Sequence, residues 1–234
     1  TIEFILDFNE YKKNPLISNS GNKEIQHIVQ NSGVSVDSIC ADYFMEAPLH
    51  SKDENVSNIS RNVLINLLKK SLNIGVNDIV IPCVDNSTIS NCKTRYNNFV
   101  KSLMPIIPIA EEVKVNLCLE TDLAPKEFAK LISVFDSQVV KVNYDIGNSA
   151  ALGYDSDEEL ELYGNRISDI HIKDRLKGGG PVLLGEGNAD FDKFFKKLND
   201  INYDGIYIMQ AFRDDEGINV FIEQLKWIRK YFIS

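Results

Sequence analysis

Four short runs decide how this chain reads: Leu117-Cys-Leu-Glu120, Val142-Asn-Tyr-Asp145, Ile167-Ser-Asp-Ile-His171 and Ile206-Tyr-Ile-Met-Gln210. Each is apolar enough to be a buried strand, and each ends in a side chain that can ligate a metal. Turn or helix-start residues follow every one of them. The four ends lie 25 to 39 residues apart along the chain. In a (β/α)8 barrel the strand ends converge on one face, so residues that distant become neighbours. A carboxylate, a carboxylate, an imidazole and an amide oxygen suit one divalent ion such as Mn2+, Mg2+ or Zn2+.

Working outward, strand-like runs fall at 2–6, 36–40, 78–82, 116–120, 139–144, 167–172 and 205–210. Helix-like runs fall at 23–31, 56–72, 93–113, 125–135, 156–163, 191–198 and 218–231. Ala124-Pro125 and Asp155-Ser-Asp-Glu-Glu159 read as helix starts, with proline or carboxylates at the positive end. Alternating βα units imply a parallel sheet. The expectation is a single TIM-barrel domain over 1–234 whose first βα unit lies ahead of Thr1; the alternative is an open doubly wound sheet. Pro105 and Pro108 are expected to kink or split the fourth helix. The Asn- and Ser-rich stretch 14–22 reads as a loop.

Composition narrows the function classes. With 234 residues and 44% hydrophobic content the chain can bury a sizeable core. The net charge of −9 and the lack of a basic stripe argue against nucleic-acid binding. No apolar run has the length to span a bilayer, and no signal peptide opens the chain. Cys40, Cys83, Cys92 and Cys118 show no Cys-x-x-Cys spacing. They read as buried thiols of a reduced, cytoplasmic protein.

Each candidate side chain has a plainer reading beside the functional one. Glu120 is a ligand and base, or a helix-capping carboxylate. Asp145, in Tyr-Asp-Ile-Gly-Asn148, is a ligand with Asn148 beside it, or an ordinary Asx turn. His171 is a ligand, or a satisfied core histidine. Lys173, Asp174 and Arg175 strengthen the first reading. Asp174 is expected to orient His171 or Lys173 or to contact substrate, with Arg175 alongside it. The alternative for all three is a solvated loop start. Gly178-Gly-Gly180 and Gly185-Glu-Gly187 form a flexible surface loop or a substrate lid whose amides approach an anion. Gln210 can coordinate a hard cation but cannot be a base. Arg213 can grip a phosphate or carboxylate, or is a surface residue.

As a set, these segments resemble the xylose-isomerase-like TIM-barrel superfamily of sugar and sugar-phosphate isomerases and epimerases. The nearest likeness is to its hexulose-6-phosphate isomerase and ribulose-5-phosphate 3-epimerase-like branch. The likeness rests on Ser38-Ile-Cys-Ala-Asp-Tyr-Phe-Met45, Ile79-Val-Ile-Pro82, Leu119-Glu-Thr-Asp122, Tyr144-Asp-Ile-Gly-Asn148, His171-Ile-Lys-Asp174 and Leu184-Gly-Glu-Gly-Asn188. It implies one divalent metal held by Glu120, Asp145, His171 and the eighth-strand residue. It also implies a base at Glu120 with Lys173 as proton shuttle, and a sugar or sugar phosphate as substrate. Epimerase members carry a second Glu where this chain has Gln210, which disfavours two-Glu epimerisation and leaves one-base isomerisation or dehydration open. Two rivals stand beside this. A phosphodiesterase resembling endonuclease IV is disfavoured by only three His and an acidic balance. A non-catalytic sugar-binding barrel is favoured by Gln210. Families of this kind commonly form homo-oligomers.

Overall fold

The strands form where β-branched and apolar residues run uninterrupted. The computed structural model describes residues 1–213 and 217–232. Its strands are β1 (Ile2–Ile5), β2 (Val36–Cys40), β3 (Asp78–Cys83), β4 (Asn116–Thr121), β5 (Val140–Asp145), β6 (Ile167–Ile172), the short pair β7 (Asp174–Arg175) and β8 (Pro181–Val182), and β9 (Ile206–Met209). Seven of them follow chain order in one sheet, β1-β2-β3-β4-β5-β6-β9, and the described pairs in it are parallel. The seven strands expected from sequence are these seven. The chain divides into two compact units, 1–123 with 130–142, and 124–129 with 143–234.

The first unit holds β1 to β4, the start of β5, and helices α1 (Asn19–Ser32), α2 (Tyr43–Glu46), α3 (Glu54–Ile74), α4 (Lys93–Leu103) and α5 (Ile107–Val113). All six residues of β3 are buried, as suits a strand covered on both faces. In α3, Ser57, Ser60, Val63, Leu64, Leu67, Leu68, Ser71 and Ile74 form the buried stripe. Its small hydroxyls tie the helix down: Ser57 Oγ donates to Leu49 O and Ser60 Oγ to Ala47 O, both at 2.7 Å. Asp53 caps its start and Gly75, at φ +82°, ends it. Leu64, Leu67 and Leu68 have no exposed surface, so truncating any one to Ala would cost about 2–5 kcal/mol.

The prolines split the helical run 93–113 as expected. A 3-10 turn, Met104–Ile106, separates α4 from α5. The stretch 14–22 corrects the loop expectation. One 3-10 turn, Pro15–Ile17, and the start of α1 lie there, with Ser18 Oγ accepting from Gly21 N at 3.0 Å. Asn22, buried, donates to Pro15 O and Leu16 O at 3.2 Å. The polar side chains that suggested a loop instead satisfy the backbone of a tight entry into the helix.

α6 (Pro125–Val134) crosses the boundary between the units. The second unit holds the end of β5, β6, the antiparallel β7–β8 pair, β9, and helices α7 (Ile146–Leu152), α8 (Ser156–Tyr163), α9 (Phe191–Asp200) and α10 (Ile218–Ile228). Phe191, Phe194, Phe195 and Leu198 bury one face of α9. Phe195 stacks on Tyr231 at 4.5 Å, Phe194 on Tyr144 at 4.9 Å, and Phe191 meets the edge of Trp227 at 5.1 Å. Among the described residues, no helix is long and apolar enough to cross a membrane. All four cysteines are free thiols, three of them buried.

His50, between α2 and α3, is 3% exposed, and its ring meets Phe99 at 6.4 Å. Burial, with the Arg95 charge adding, lowers its pKa from the ordinary 6.5 to about 4. The folded chain therefore takes up this proton later than the unfolded chain as pH falls. Stability tied to neutral His50 is complete above pH 6.5 and is lost as pH drops from there to about 4. His50→Asn is expected to flatten the urea-unfolding stability of the chain across that window. The difference between wild type and variant should change by about 2–3 kcal/mol from pH 7 to pH 4. Parallel pH profiles would show that His50 does not carry the effect.

Candidate functional site

Asp145 ends β5 and is buried. Its Oδ1 accepts from Asn148 N at 2.8 Å, which makes it the N-cap of α7. Its Oδ2 lies 3.3 Å from Lys173 Nζ. The Asp145 side chain is 1% exposed and that of Lys173 22%, so the lysine can reach solvent while the carboxylate cannot. The Lys173 stem runs against Gly147: a Cβ there would sit 2.9 Å from Lys173 Cγ. Glycine at 147 is needed for this close approach.

On β6, Asp169 and His171 are two residues apart and share one face. Both have zero exposure, and their ligand atoms lie within 4.8 Å of each other. His171 Nδ1 is 3.1 Å from the Asn143 amide. An amide's two ends are alike in shape, so Asn143 can turn its oxygen to an Nδ1–H, leaving Nε2 as the lone-pair nitrogen. The sequence reading passes over Asp169 and Asn143. Both were legible by the period of two, since each precedes a candidate ligand by two residues on its strand.

Asp174 departs from expectation. It has no exposed surface for a substrate. Its carboxylate instead accepts four backbone N–H groups: Arg175 at 2.9 Å, Gly185 at 2.9 Å, Gly187 at 2.9 Å and Ala189 at 3.1 Å. A Cβ at residue 187 would lie 2.0 Å from Asp174 Oδ1, which only glycine avoids. Arg175 is likewise engaged. Its Nε and Nη2 donate to Gly179 O at 3.1 and 2.9 Å, and its Nη1 to Asn148 Oδ1 at 2.8 Å. The glycine-rich stretch is thus a hairpin held from inside. Its far side is tied by Gln224, which accepts from Leu184 N at 3.2 Å and donates to Phe212 O at 2.8 Å.

Behind Asp145, Tyr144 and Ser149 donate to buried Glu159 on α8, Tyr144 at 2.6 Å, and Tyr163 adds a third donor at 2.7 Å. Burial raises the Glu159 carboxyl, while these hydroxyls oppose the shift. The network anchors the β5–α7 turn to the helix that follows it.

The remaining candidates are placed as follows. Glu120, buried in β4, is close enough to Cys40 and Cys83 to add to the rise of both thiols, whose main cause is burial. Two residues on, Asp122 accepts from Thr88 Oγ1 at 2.6 Å, and burial raises its carboxyl. Gln210, half-buried, follows the last residue of β9. Arg213 is exposed.

The profile of the xylose isomerase-like TIM barrel matches residues 1–231. The chain belongs to that family. A Haemophilus influenzae protein provisionally named an L-ribulose-5-phosphate 3-epimerase is 27% identical over 217 residues, covering 87% of this chain and 76% of that one. The crystal structure of a D-tagatose 3-epimerase-like protein superposes with a TM-score of 0.80 at 19% identity, covering 98% of this chain and 87% of the other. The zinc-bound IolI structure gives 0.79 at 17% identity, covering 100% of this chain and 89% of the other. These superpositions establish the fold as an α/β barrel.

In this xylose isomerase-like chain, the donor set of the second unit fits a divalent cation. Asp169 and His171 bring an oxygen and a nitrogen ligand of the right hardness within 4.8 Å of each other in a dry interior. Burying a carboxylate beside an imidazole is costly, and a cation offsets that cost.

Asp174 is central to this arrangement. Asp174→Asn replaces two charged acceptors with one neutral one and turns an NH2 toward backbone amides. It is expected to destabilise the fold by about 3 kcal/mol. Urea unfolding measures this, and a loss under about 1 kcal/mol would contradict the role given to the carboxylate.

Proposed function

We propose that this chain is a metal-dependent sugar isomerase or epimerase that works through an enediolate, with Glu120 as the base. The observation that carries this reading is the pairing of the buried Asp145 carboxylate with Lys173 at the end of β5, together with the amide-oriented His171 on β6. The names of the relatives support it, since both the Haemophilus protein and the tagatose-type structure are named for epimerases.

In this reading Glu120, Asp145, His171 and Gln210 hold one ion, Mn2+, Mg2+ or Zn2+, and Asp169 offers a further oxygen. When bound, the ion polarises the sugar carbonyl and lowers the energy of negative charge on its oxygen. Glu120 takes the proton from the carbon next to the carbonyl. The C–H electrons form the carbon–carbon double bond of the enediolate, and the carbonyl oxygen takes the negative charge. Glu120 then returns the proton to the neighbouring carbon, which completes an aldose–ketose shift. Lys173 passes the hydroxyl proton between the two oxygens, a role that suits its partial access to solvent. Asn148, beside Asp145, orients a sugar hydroxyl. Gln210 has no carboxylate to serve as a second base, so one-base isomerisation fits better than two-base epimerisation.

Gln210 also favours one rival, a sugar-binding barrel without turnover. Metal analysis followed by proton exchange of ketoses in D2O separates the two. Exchange at the carbon next to the carbonyl is expected. Glu120→Gln should then lower the exchange rate by at least about 10^2-fold. Saturable sugar binding with no exchange would leave the binder, and full exchange in the Gln variant would remove Glu120 as base.

A further inference from the structure

Side chains alternate along β5, so Tyr144 points to the face opposite Asp145. There it meets Glu159 of α8. Glu159 Oε2 accepts from Tyr144 Oη at 2.6 Å and from Ser149 Oγ, and those two hydroxyls are themselves 3.2 Å apart. Residues 144 and 149 flank the turn 145–148, which carries both the Asp145 carboxylate and the Asn148 N–H that donates to it. A single carboxylate oxygen on the next helix therefore closes that turn. The direction of this carboxylate is fixed in its own right. Glu159 Oε1 accepts from Tyr163 Oη at 2.7 Å, one helical turn further along α8. The Tyr144 ring is held against Phe194 at 4.9 Å and the Tyr163 ring against Phe128 at 5.1 Å. Apolar packing alone would join α8 to β5 at lower cost, because a buried carboxylate gives up its water. What the hydrogen bonds add is direction. Direction matters at Asp145, since a bound cation needs its oxygen ligands within about 0.2 Å of the ideal distance.

We infer that Glu159 is a positioning residue: through Tyr144 and Ser149 it fixes the direction of the Asp145 carboxylate, and so sets how tightly the site holds its cation. This rests on the metal reading above and extends it to a residue on another helix. The test uses the purified chain stripped of metal. Tyr144→Phe and Ser149→Ala each remove one hydroxyl from the turn side of the Glu159 carboxylate, and Tyr163→Phe removes the hydroxyl supplied by α8 itself. Calorimetric titration with Mn2+ gives a Kd, urea unfolding of the stripped chain gives its stability, and hydrogen–deuterium exchange at Asn148 N–H reports the bond to Asp145. Tyr144→Phe and Ser149→Ala are expected to raise the Kd about tenfold or more and to speed exchange at Asn148. Tyr163→Phe should lower the unfolding midpoint while leaving both of those readings near the wild type. A purely structural role would lower the midpoint in all three variants and move neither Kd nor exchange, which overturns the inference. An equal rise in Kd in all three also overturns it, because the effect would then follow the stability of the network and not the turn. If the wild type binds no Mn2+, Mg2+ or Zn2+ saturably, the metal reading fails and exchange at Asn148 decides alone. Faster exchange in Tyr144→Phe and Ser149→Ala then upholds the positioning role, and unchanged exchange removes it.

Discussion

A carboxylate with no exposed surface has to find hydrogen-bond donors or lose its charge. Asp174 finds four, all backbone N–H groups, three of them from the glycine-rich hairpin that follows it. Much of the second unit depends on that single group. It fixes where the hairpin lies, and the hairpin supplies the Gly179 carbonyl that clamps Arg175. Arg175 in turn holds Asn148, whose own N–H donates to the Asp145 carboxylate. The proposed metal ligand is therefore oriented by a chain of hydrogen bonds that ends in a buried charge. Such a chain is strong where every member is satisfied and weak where one is missing.

The aromatic cluster and the Glu159 network serve the same end by different physics. Stacked rings on α9 give the unit its packing, and Tyr144 belongs to both, stacking on Phe194 and donating to Glu159. A shift of α8 or α9 would thus be felt at the residue next to Asp145. The surface ion pairs between these helices, Lys193 with Asp155 and Lys197 with Glu161, are solvent-exposed and contribute little by comparison.

Family membership sets the frame, and individual residues qualify it. Glu120, Asp145 and His171 lie at or one residue short of the ends of β4, β5 and β6, and Gln210 follows β9 where epimerases of the resembled branch carry a Glu. An amide can ligate a cation but cannot exchange a proton at neutral pH, so the change alters which chemistry the same scaffold can run. The filled cradle around Asp174 is a second qualification, because the glycines there pack a carboxylate of the chain and not a ligand.

The sequence by itself determined the parallel βα order, the seven sheet strands and the break near Pro105, because hydrophobic period and backbone-restricting residues are local signals. It also singled out Asp145, His171 and Lys173, since strand-end polar residues stand out against apolar runs. It could not show that residues 14–22 wind into a 3-10 turn and a helix start, because Asn and Ser cap helices as readily as they make loops. Nor could it tell which way Asp174 and Arg175 face. Their partners, Gly179, Gly185, Gly187 and Asn148, are 4 to 27 residues away. Long-range hydrogen bonds leave no periodic trace in a sequence. Only the tertiary structure decided whether those charges serve a ligand or the fold, because the choice depends on which donors surround a buried carboxylate once the chain has closed around it.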